Sequence, residues 1–389
     1  MSYGHTPRRT TARATASGEG RWQRRGMLLI GLLALGMLAA LVAGANAVVP
    51  IKLLPLAVEP PRLDDRVYVI TESVDRDWNV TSLLTALDSG GGPPAYAIAD
   101  ADDAQISPDG ALLFVLHGRE LRGHDATTGA LRWERGFDEL FGGFEAEAVQ
   151  ALVPSADGRS LFAVAISDGA ARRLIEVDPA SGQVAGQPVQ LTSGWQTSHW
   201  LAAPGGDRLY EVVESGQIQV IDLAQRQIAA RINLTHAALG AAISTDGAAM
   251  YVLTSGFAVA QIDLRTNAVG DSRSLGIQPE RLRLGGLWLL PGPPARLLVG
   301  TYNLSRPPFA ELREYDLADW RELRRVPSDK PLDWSLMALG SAGRQLFAAT
   351  DGGLRDDNTI RAFDLETGEA RLLLDAPMPP VRRVLAGPP

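Results

Sequence analysis

Two histidines and three charged residues form the first group of side chains that could hold a small molecule. His199 and His236 stand at two consecutive short apolar segments, and Arg283, Asp333 and Arg382 occupy related positions at three others. Small-ligand sites set a few convergent polar groups against a mostly apolar wall. We predict that these five residues bind a small ligand; the alternative is that they are polar side chains in contact with solvent alone. Two histidines without a third spaced ligand do not make a zinc site.

A second group of residues stands in three long connecting segments, residues 72–80, 303–311 and 351–359. Arginine and aromatic side chains are enriched where proteins contact one another. We predict that these segments, called the crest below, bind a protein or another component of the cell envelope; the alternative is that they are insertions without a function. The crest residues concerned are Arg76, Trp78, Arg306, Phe309, Arg355 and Asp357.

Metal and cofactor sites have little support in the sequence. Asp351, Asp356, Asp357 and Asn358 could surround calcium through their oxygens, but their spacing differs from that of an EF-hand loop. The chain has no cysteine, which excludes disulfides, thiolate metal sites and cysteine nucleophiles. We find no glycine-rich dinucleotide motif, phosphate-binding loop, G-x-S-x-G or H-E-x-x-H. We therefore predict no resident cofactor, with calcium as the alternative.

Charge is distributed unevenly between the N-terminus and the rest of the chain. Six arginines and one glutamate give residues 1–26 a charge of +5, which leaves −13 for the remainder of a chain whose total is −8. A body this acidic repels phosphate backbones, so we exclude nucleic acid as a partner. The acidic cluster at residues 100–103 is predicted to be a solvated turn.

An uncharged apolar segment follows the basic N-terminus. Residues 27–49 contain no charged side chain, and 23 residues of helix would extend about 34 Å, enough to cross a bilayer core. Because arginines precede it, the positive-inside rule keeps residues 1–26 in the cytoplasm as a disordered tail. We predict a single-pass membrane anchor with the body on the extracytoplasmic side. The alternative is a signal peptide cleaved after Ala47, which would make the protein secreted or periplasmic.

The elements that must position these residues repeat along the chain. A turn rich in Asp and Gly, for example S-P-D-G at 107–110 and S-T-D-G at 244–247, is followed each time by an apolar strand. An aspartate then closes a third strand, at steps that average 46 residues. Asp accepts the backbone N–H two residues on, and Gly takes the positive φ that closes such a turn. The repeat aspartates are Asp88, Asp125, Asp178, Asp222, Asp263, Asp316 and Asp364.

Four short strands in each repeat of about 46 residues are typical of a propeller blade. The first repeat, from Arg66, lacks an inner strand, and the chain ends with an unused one at 381–387. We predict an all-β propeller over residues 66–389, joined to the membrane segment by a proline-rich linker at 50–65. It has seven blades, with six or eight as alternatives, and the C-terminal strand completes blade one, which removes the open edges.

The turns carry a family resemblance. The D-x-x-T/S-G and S-x-D-G turns resemble those of the YVTN, quinoprotein-like and WD-repeat-like propeller superfamily over residues 66–387. The segment DATTGALRW (125–133) is similar to the tryptophan-docking repeat of pyrroloquinoline-quinone dehydrogenases. The resemblance implies the fold, whereas propellers host many functions.

These observations lead to a functional prediction with one alternative. We predict a non-catalytic, membrane-tethered scaffold that binds a protein or a ligand through the face bearing the variable loops. The alternative is an exported propeller enzyme, either a quinoprotein-like oxidoreductase or a lactonase or other hydrolase.

The crest hypothesis predicts a loss of partner binding. Replacing residues 72–80, 303–311 and 351–359 by short Gly-Ser turns should abolish crosslinking of the full-length protein to its native partner, since the arginines and aromatic residues are removed. Replacing the turn at 244–247, on the opposite face, serves as the control. Retention of the same crosslinked partner after the triple replacement would contradict the hypothesis.

Overall fold

The computed structural model describes residues 66–74, 79–90, 92–192, 194, 197–277, 283–303, 309–328, 332–340, 343–350, 358–378 and 380–387. All of them belong to one compact unit, Glu59–Pro389. The basic tail, the apolar segment 27–49 and the linker at 50–65 lie outside the described residues. Within those residues, no helix has the length and apolar character needed to cross a membrane.

The described residues form 28 strands that pair as seven four-stranded antiparallel sheets, which are the seven predicted blades. Blade one consists of β28 (Val381–Ala386), β1 (Arg66–Val74), β2 (Val80–Asp88) and β3 (Tyr96–Ala99). Blade two contains β4 (Asp103–Ile106), β5 (Leu112–His117), β6 (Glu120–Asp125) and β7 (Leu131–Gly136). Blade three contains β8 (Ala146–Pro154), β9 (Leu161–Ser167), β10 (Arg172–Val177) and β11 (Val184–Gln190).

The other four blades repeat the pattern. Blade four contains β12 (Ser198–Ala202), β13 (Arg208–Val213), β14 (Gln217–Asp222) and β15 (Gln227–Asn233). Blade five contains β16 (Ala238–Ile243), β17 (Ala249–Thr254), β18 (Ala258–Asp263) and β19 (Ala268–Ser274). Blade six contains β20 (Arg283–Leu290), β21 (Arg296–Asn303), β22 (Phe309–Asp316) and β23 (Glu322–Ser328). Blade seven contains β24 (Leu332–Leu339), β25 (Gln345–Thr350), β26 (Asn358–Asp364) and β27 (Ala370–Met378).

The position of a strand within its blade determines its hydrophobic pattern. The second strand of blade three, β9, is buried along nearly its whole length because neighbouring blades cover both of its faces. The outermost strand of blade four, β15, instead alternates between exposed and half-buried residues. Continuous apolar runs therefore indicate strands enclosed on both faces, and alternation indicates strands at the rim.

Among the described residues, six of the seven repeat aspartates close their turns as predicted, and Asp88 instead pairs with Arg66. The Oδ1 atom of Asp125 accepts the N–H groups of Thr127 and Thr128 at 3.0 and 2.9 Å, and Asp364 accepts two equivalent bonds at 2.8 and 2.9 Å. In the other turn type, Ser107 donates to Asp109 at 2.6 Å, which holds the loop in shape. These local bonds fix where each strand ends and hence the register of each hairpin.

Neighbouring blades are held together by apolar clusters. Seven such clusters occur among the described residues, each shared by two adjacent blades. The tryptophan of the docking-like repeat adds a polar anchor, because Trp133 Nε1 donates to the Pro179 carbonyl of blade three at 2.8 Å. A Cβ on Gly182, whose φ is +71°, would lie 2.5 Å from the Trp133 ring, so only glycine fits beneath it.

The connection at 137–148 contains an element that the sequence analysis did not predict. A short helix, α1 (Phe137–Phe141), ends at Gly142 in the left-handed region with φ +54°. Phe137, Leu140 and Phe141 are buried in the cluster shared by blades two and three. The connection therefore extends the core at this edge of the ring.

The ring closes through the C-terminal strand, which confirms that prediction. The inner strand β28 pairs antiparallel with β1, with Val69 opposite Val384, although the two segments stand at opposite ends of the propeller sequence. The side chain of Arg383 then reaches Asp103 of blade two. The three elements that close the circle are thus joined by both a ladder and an ion pair.

Truncation at the closing strand should prevent the ring from forming. Deleting residues 381–389 leaves the inner edge of β1 unpaired and removes the partner of Asp103, and open strand edges promote association between chains. We expect aggregation and loss of the cooperative thermal transition, measured by size-exclusion chromatography and circular dichroism. A chain lacking only residues 388–389 is the control. A truncated protein that remained monomeric with an unchanged transition would contradict closure by β28.

The capped turns make stability sensitive to acid. Arg132 beside Asp125, together with the turn N–H groups, lowers the pKa of this aspartate from 3.8 to about 2. A carboxyl whose pKa is lower in the folded protein than in the unfolded chain stabilises the fold at every pH above the unfolded pKa. This contribution is lost as the pH falls from 3.8 through about 2. The variant Asp125→Asn should therefore lose less stability than the wild type over this interval, measured by denaturant unfolding at each pH. The control is Asp138→Asn, at a side chain that is 95% exposed; equal slopes for the wild type and Asp125→Asn would refute the assignment.

Candidate functional site

A cavity of about 590 Å³ lies where the innermost strands of all seven blades surround the axis. Its wall combines polar side chains with two tryptophans, and the remainder is aliphatic. The residues that line it are Asp103, Gln105, Ile106, Gln150, Ala151, Leu152, Ser198, His199, Trp200, Leu201, Ala241, Trp288, Met337, Ala338, Leu339, Arg382, Arg383, Val384, Leu385 and Ala386. A space of this volume lies within the range of small-molecule sites, and its wall is more polar than the mostly apolar wall typical of them.

Three ionisable residues lie at one height in the cavity. In blades two, four and one, the residue just after the inner strand donates its backbone N–H to the second strand and marks the end of the inner strand. Four residues before that point stand Asp103, His199 and Arg383. Those terminating residues, whose N–H groups bond to the second strand, are Ser107, Ala203 and Gly387. The repeat therefore places an acid, an imidazole and a guanidinium around the same level of the axis, although they come from blades two, four and one.

The acid and the guanidinium are paired. Arg383 Nη1 lies 2.8 Å from Asp103 Oδ1 and 3.0 Å from Oδ2. The same carboxylate accepts the N–H of Ala104 at 2.8 Å. Burial raises the pKa of Asp103 above its usual value, against the opposing effect of Arg383. A carboxyl with a raised pKa beside a partly exposed arginine in a concave wall is a functional-site feature.

His199 faces the solvent of the cavity, but the surrounding wall lowers its pKa by desolvation. Glu214 and a hydrogen bond with the backbone of Leu239 act in the opposite direction. The lowered pKa favours the neutral imidazole, and its hydrogen bond with the Leu239 backbone leaves one ring nitrogen for other partners.

Arg382 belongs to a set of β-bulges on the inner strands. Its Nε lies 2.6 Å from Glu72 Oε2, and its side chain is 55% exposed. Each of these bulges has one extra residue, which stands four residues before the last residue of its inner strand. The extra residues are Arg382, Gln150 and Leu239. Bulges re-aim side chains, and here they turn Gln150 and Arg382 toward the cavity.

The structure separates the remaining predicted binding residues. The ring of His236 packs against Gly256 of blade five, outside the residues that line the cavity. Arg283 and Asp333 lie in the inner strands β20 and β24, and Phe309 begins β22. Arg76, Trp78, Arg306, Arg355 and Asp357 lie outside the described residues, as do three of the four candidate calcium ligands. Among the described residues, no three His, Asp or Glu side chains are placed to hold a metal ion.

One sequence prediction was wrong and two residues were missed. Asp103 was assigned to a solvated turn, but it begins the inner strand β4, and its carboxylate is paired with Arg383 of the neighbouring blade one. Arg383 and Gln150 were missed because a bulge and a contact between distant segments place them. The position of Asp103 four residues before Ser107, matching that of His199 before Ala203, was the signal available in the sequence.

Comparison with known proteins gives a likeness of fold. No family model and no curated protein matches the sequence. The dihydro-heme d1 dehydrogenase NirN, solved in complex with DHE, is 15% identical with a TM-score of 0.52, over 84% of this chain and 75% of that one. Hydrazine synthase from Kuenenia stuttgartiensis is 18% identical with a TM-score of 0.51, over 69% of this chain and 77% of that one.

A third similar structure is the β-propeller domain of Cps50 (Swd1) from Myceliophteria thermophila. It is 14% identical with a TM-score of 0.53, over 71% of this chain and 87% of that one. Identities this low carry information on the fold alone. By its blades and its structural neighbours, the chain resembles, at the level of fold, the quinoprotein-like and WD40 β-propellers.

Proposed function

We propose that this propeller is a binding protein that takes a small polar ligand into its central cavity. We further propose that the cavity is displayed on the extracytoplasmic side of a membrane. The topological part rests on the uncharged segment 27–49 and the arginines before it. The ligand-binding part rests on the geometry of the cavity.

The observation that supports ligand binding best is the level shared by Asp103, His199 and Arg383 within a cavity of about 590 Å³. The side chains of Asp103 and Arg383 are partly exposed to the cavity, where their charged groups can also contact a ligand. The imidazole of His199 adds one further nitrogen that can hydrogen-bond to a ligand. Trp200 and Trp288 supply flat apolar surface against which a small molecule can pack.

The crest remains a proposal of its own. Its arginines and aromatic residues suit contact with a protein or a component of the cell envelope.

A catalytic alternative is favoured by one specific observation. Burial raises the pKa of Asp103 and lowers that of His199. Sites in which burial raises the pKa of an acid and lowers the pKa of a base occur in enzymes as well as in binding proteins. Recovery of the bound compound unchanged after prolonged incubation supports binding, whereas its conversion to a product supports an exported enzyme.

Blocking the cavity should abolish ligand binding. His199→Trp adds a large side chain to the cavity wall at a position that is not packed in the core. We expect the full-length protein in mild detergent to bind at least one compound of a panel containing D-glucose, glycerol, citrate, L-glutamate and spermidine. Binding is measured by saturation-transfer NMR, and the signal should disappear in His199→Trp.

Val269→Trp is the matched control, because it adds the same side chain to an exposed position on the outer strand β19. This variant should bind like the wild type. If the wild type bound no compound of the panel, or if His199→Trp bound as well as Val269→Trp, the cavity would not be the ligand site.

A further inference from the structure

Glu211 breaks the repeat of the propeller at a buried position. It lies on β13, three residues after Arg208, which pairs with the repeat aspartate Asp222. The equivalent residue of every other blade is apolar and no more than 1% exposed. Those residues are Val69, Val115, Ala163, Val252, Val299 and Ala348. Only blade four thus places a carboxylate between two blades at this level.

The carboxylate is matched by an arginine from blade three. Arg172 Nη2 lies 2.5 Å from Glu211 Oε1, and both side chains are fully buried. Arg172 Nε donates to Gln150 Oε1 at 2.9 Å. Its guanidinium also lies over the ring of Trp200, 5.7 Å from the centroid. The ion pair therefore sits directly behind two residues of the cavity wall, Gln150 and Trp200.

A row of polar side chains continues from the pair across blade four. Trp200 and Gln219 are the direct cross-strand neighbours of Glu211, so the three share one face of the sheet. The hydroxyl of Thr192 accepts from Arg231 at 3.2 Å and donates to Gln219 Oε1 at 3.0 Å. That arrangement orients the amide of Gln219 with its nitrogen free. We call Arg172, Trp200, Glu211 and Gln219 the polar seam.

Each residue of the polar seam has one buried polar atom without a hydrogen-bond partner among the described residues. Three are donors and one is an acceptor: Arg172 Nη1, Trp200 Nε1, Gln219 Nε2 and Glu211 Oε2. A buried polar atom left unpaired costs free energy. Buried ion pairs can often be replaced by apolar residues at little cost. The other six blades have an apolar residue where blade four has Glu211, so the fold does not require a carboxylate there.

The four atoms together define the chemistry of a group that would satisfy them. A carboxylate would accept from the three donors but would be repelled by Glu211. An ammonium group would satisfy Glu211 and leave the donors unpaired. A hydroxyl group both accepts and donates, and the mutual neutralisation of Arg172 and Glu211 suits an uncharged ligand.

We infer that the ligand of the cavity is a small, neutral, hydroxyl-rich molecule, such as a sugar or polyol, one end of which enters the polar seam when Gln150 swings aside. The inference rests on the proposed function, because Gln150 and Trp200 join the seam to the cavity. The hydroxyls pair with the four unpartnered atoms, and the Trp200 ring packs against the carbon skeleton. The ligand thereby bridges blades three and four.

The test compares one substitution at two buried carboxylates. Glu211→Gln keeps the volume of the side chain, removes its negative charge and replaces one of its two acceptor oxygens by an N–H donor. The matched control is Glu314→Gln, because Glu314 is 2% exposed, is also paired with arginine, and does not line the cavity. With D-glucose and glycerol as probes, isothermal titration of the full-length protein should show binding weakened by roughly tenfold or more in Glu211→Gln. Binding should be unchanged in Glu314→Gln.

A second variant separates a structural role from a ligand-binding one. Glu211→Val gives blade four the apolar residue that the other blades have at this level, and Arg172→Met removes the charged partner in the same protein. It should melt at or above the wild-type temperature and lose D-glucose binding. If the double variant melted below the wild type and Glu211→Gln bound D-glucose normally, the seam would be structural and the inference overturned. If citrate or spermidine bound in a His199-dependent manner and neither D-glucose nor glycerol bound, the cavity site would stand and the hydroxyl class would be refuted.

Discussion

The pairing of β28 with β1 is the interaction on which the rest of the molecule depends. A propeller blade cannot bury both of its faces by itself, so each of the seven apolar clusters requires two neighbours. The C-terminal strand supplies the inner strand of blade one and brings Arg383 to Asp103. Without that strand the ring has an open edge and the cavity loses one side of its wall. Closure of the fold and formation of the candidate site are therefore the same event.

The sequence predicted the features that arise from local physics. The Asp and Gly turns repeat because each closes a hairpin through bonds between residues two or three apart, as Asp125 does with Thr127 and Thr128. Blade number and closure by the C-terminal strand followed from counting those turns. The helix at Phe137–Phe141 escaped detection because five residues are too few for a helical pattern, and its formation depends on burial of two phenylalanines in a neighbouring cluster.

The candidate site was only partly predictable, because it depends on contacts between segments far apart in the chain. His199 and Arg382 were identified from their positions within the repeat, and both line the cavity. Asp103 was misassigned because an acidic cluster next to a turn resembles a solvated loop until Arg383, 280 residues away, is placed beside it. Glu211 was visible in the sequence as a carboxylate in the middle of the strand RLYEVV, but its partner Arg172 could be found only once blades three and four were packed together. The residues that repeat in every blade thus form the scaffold, and residues that depart from the repeat form the candidate site.

The claim that the cavity holds a ligand is tested most directly by mass spectrometry of the full-length protein purified from its native host. The mass of the native protein is compared with the mass of the same sample after denaturation. Our account predicts that the native mass exceeds the denatured mass by that of one small neutral organic molecule, which is released on unfolding. Equal native and denatured masses, in protein purified without exposure to displacing solutes, would contradict it.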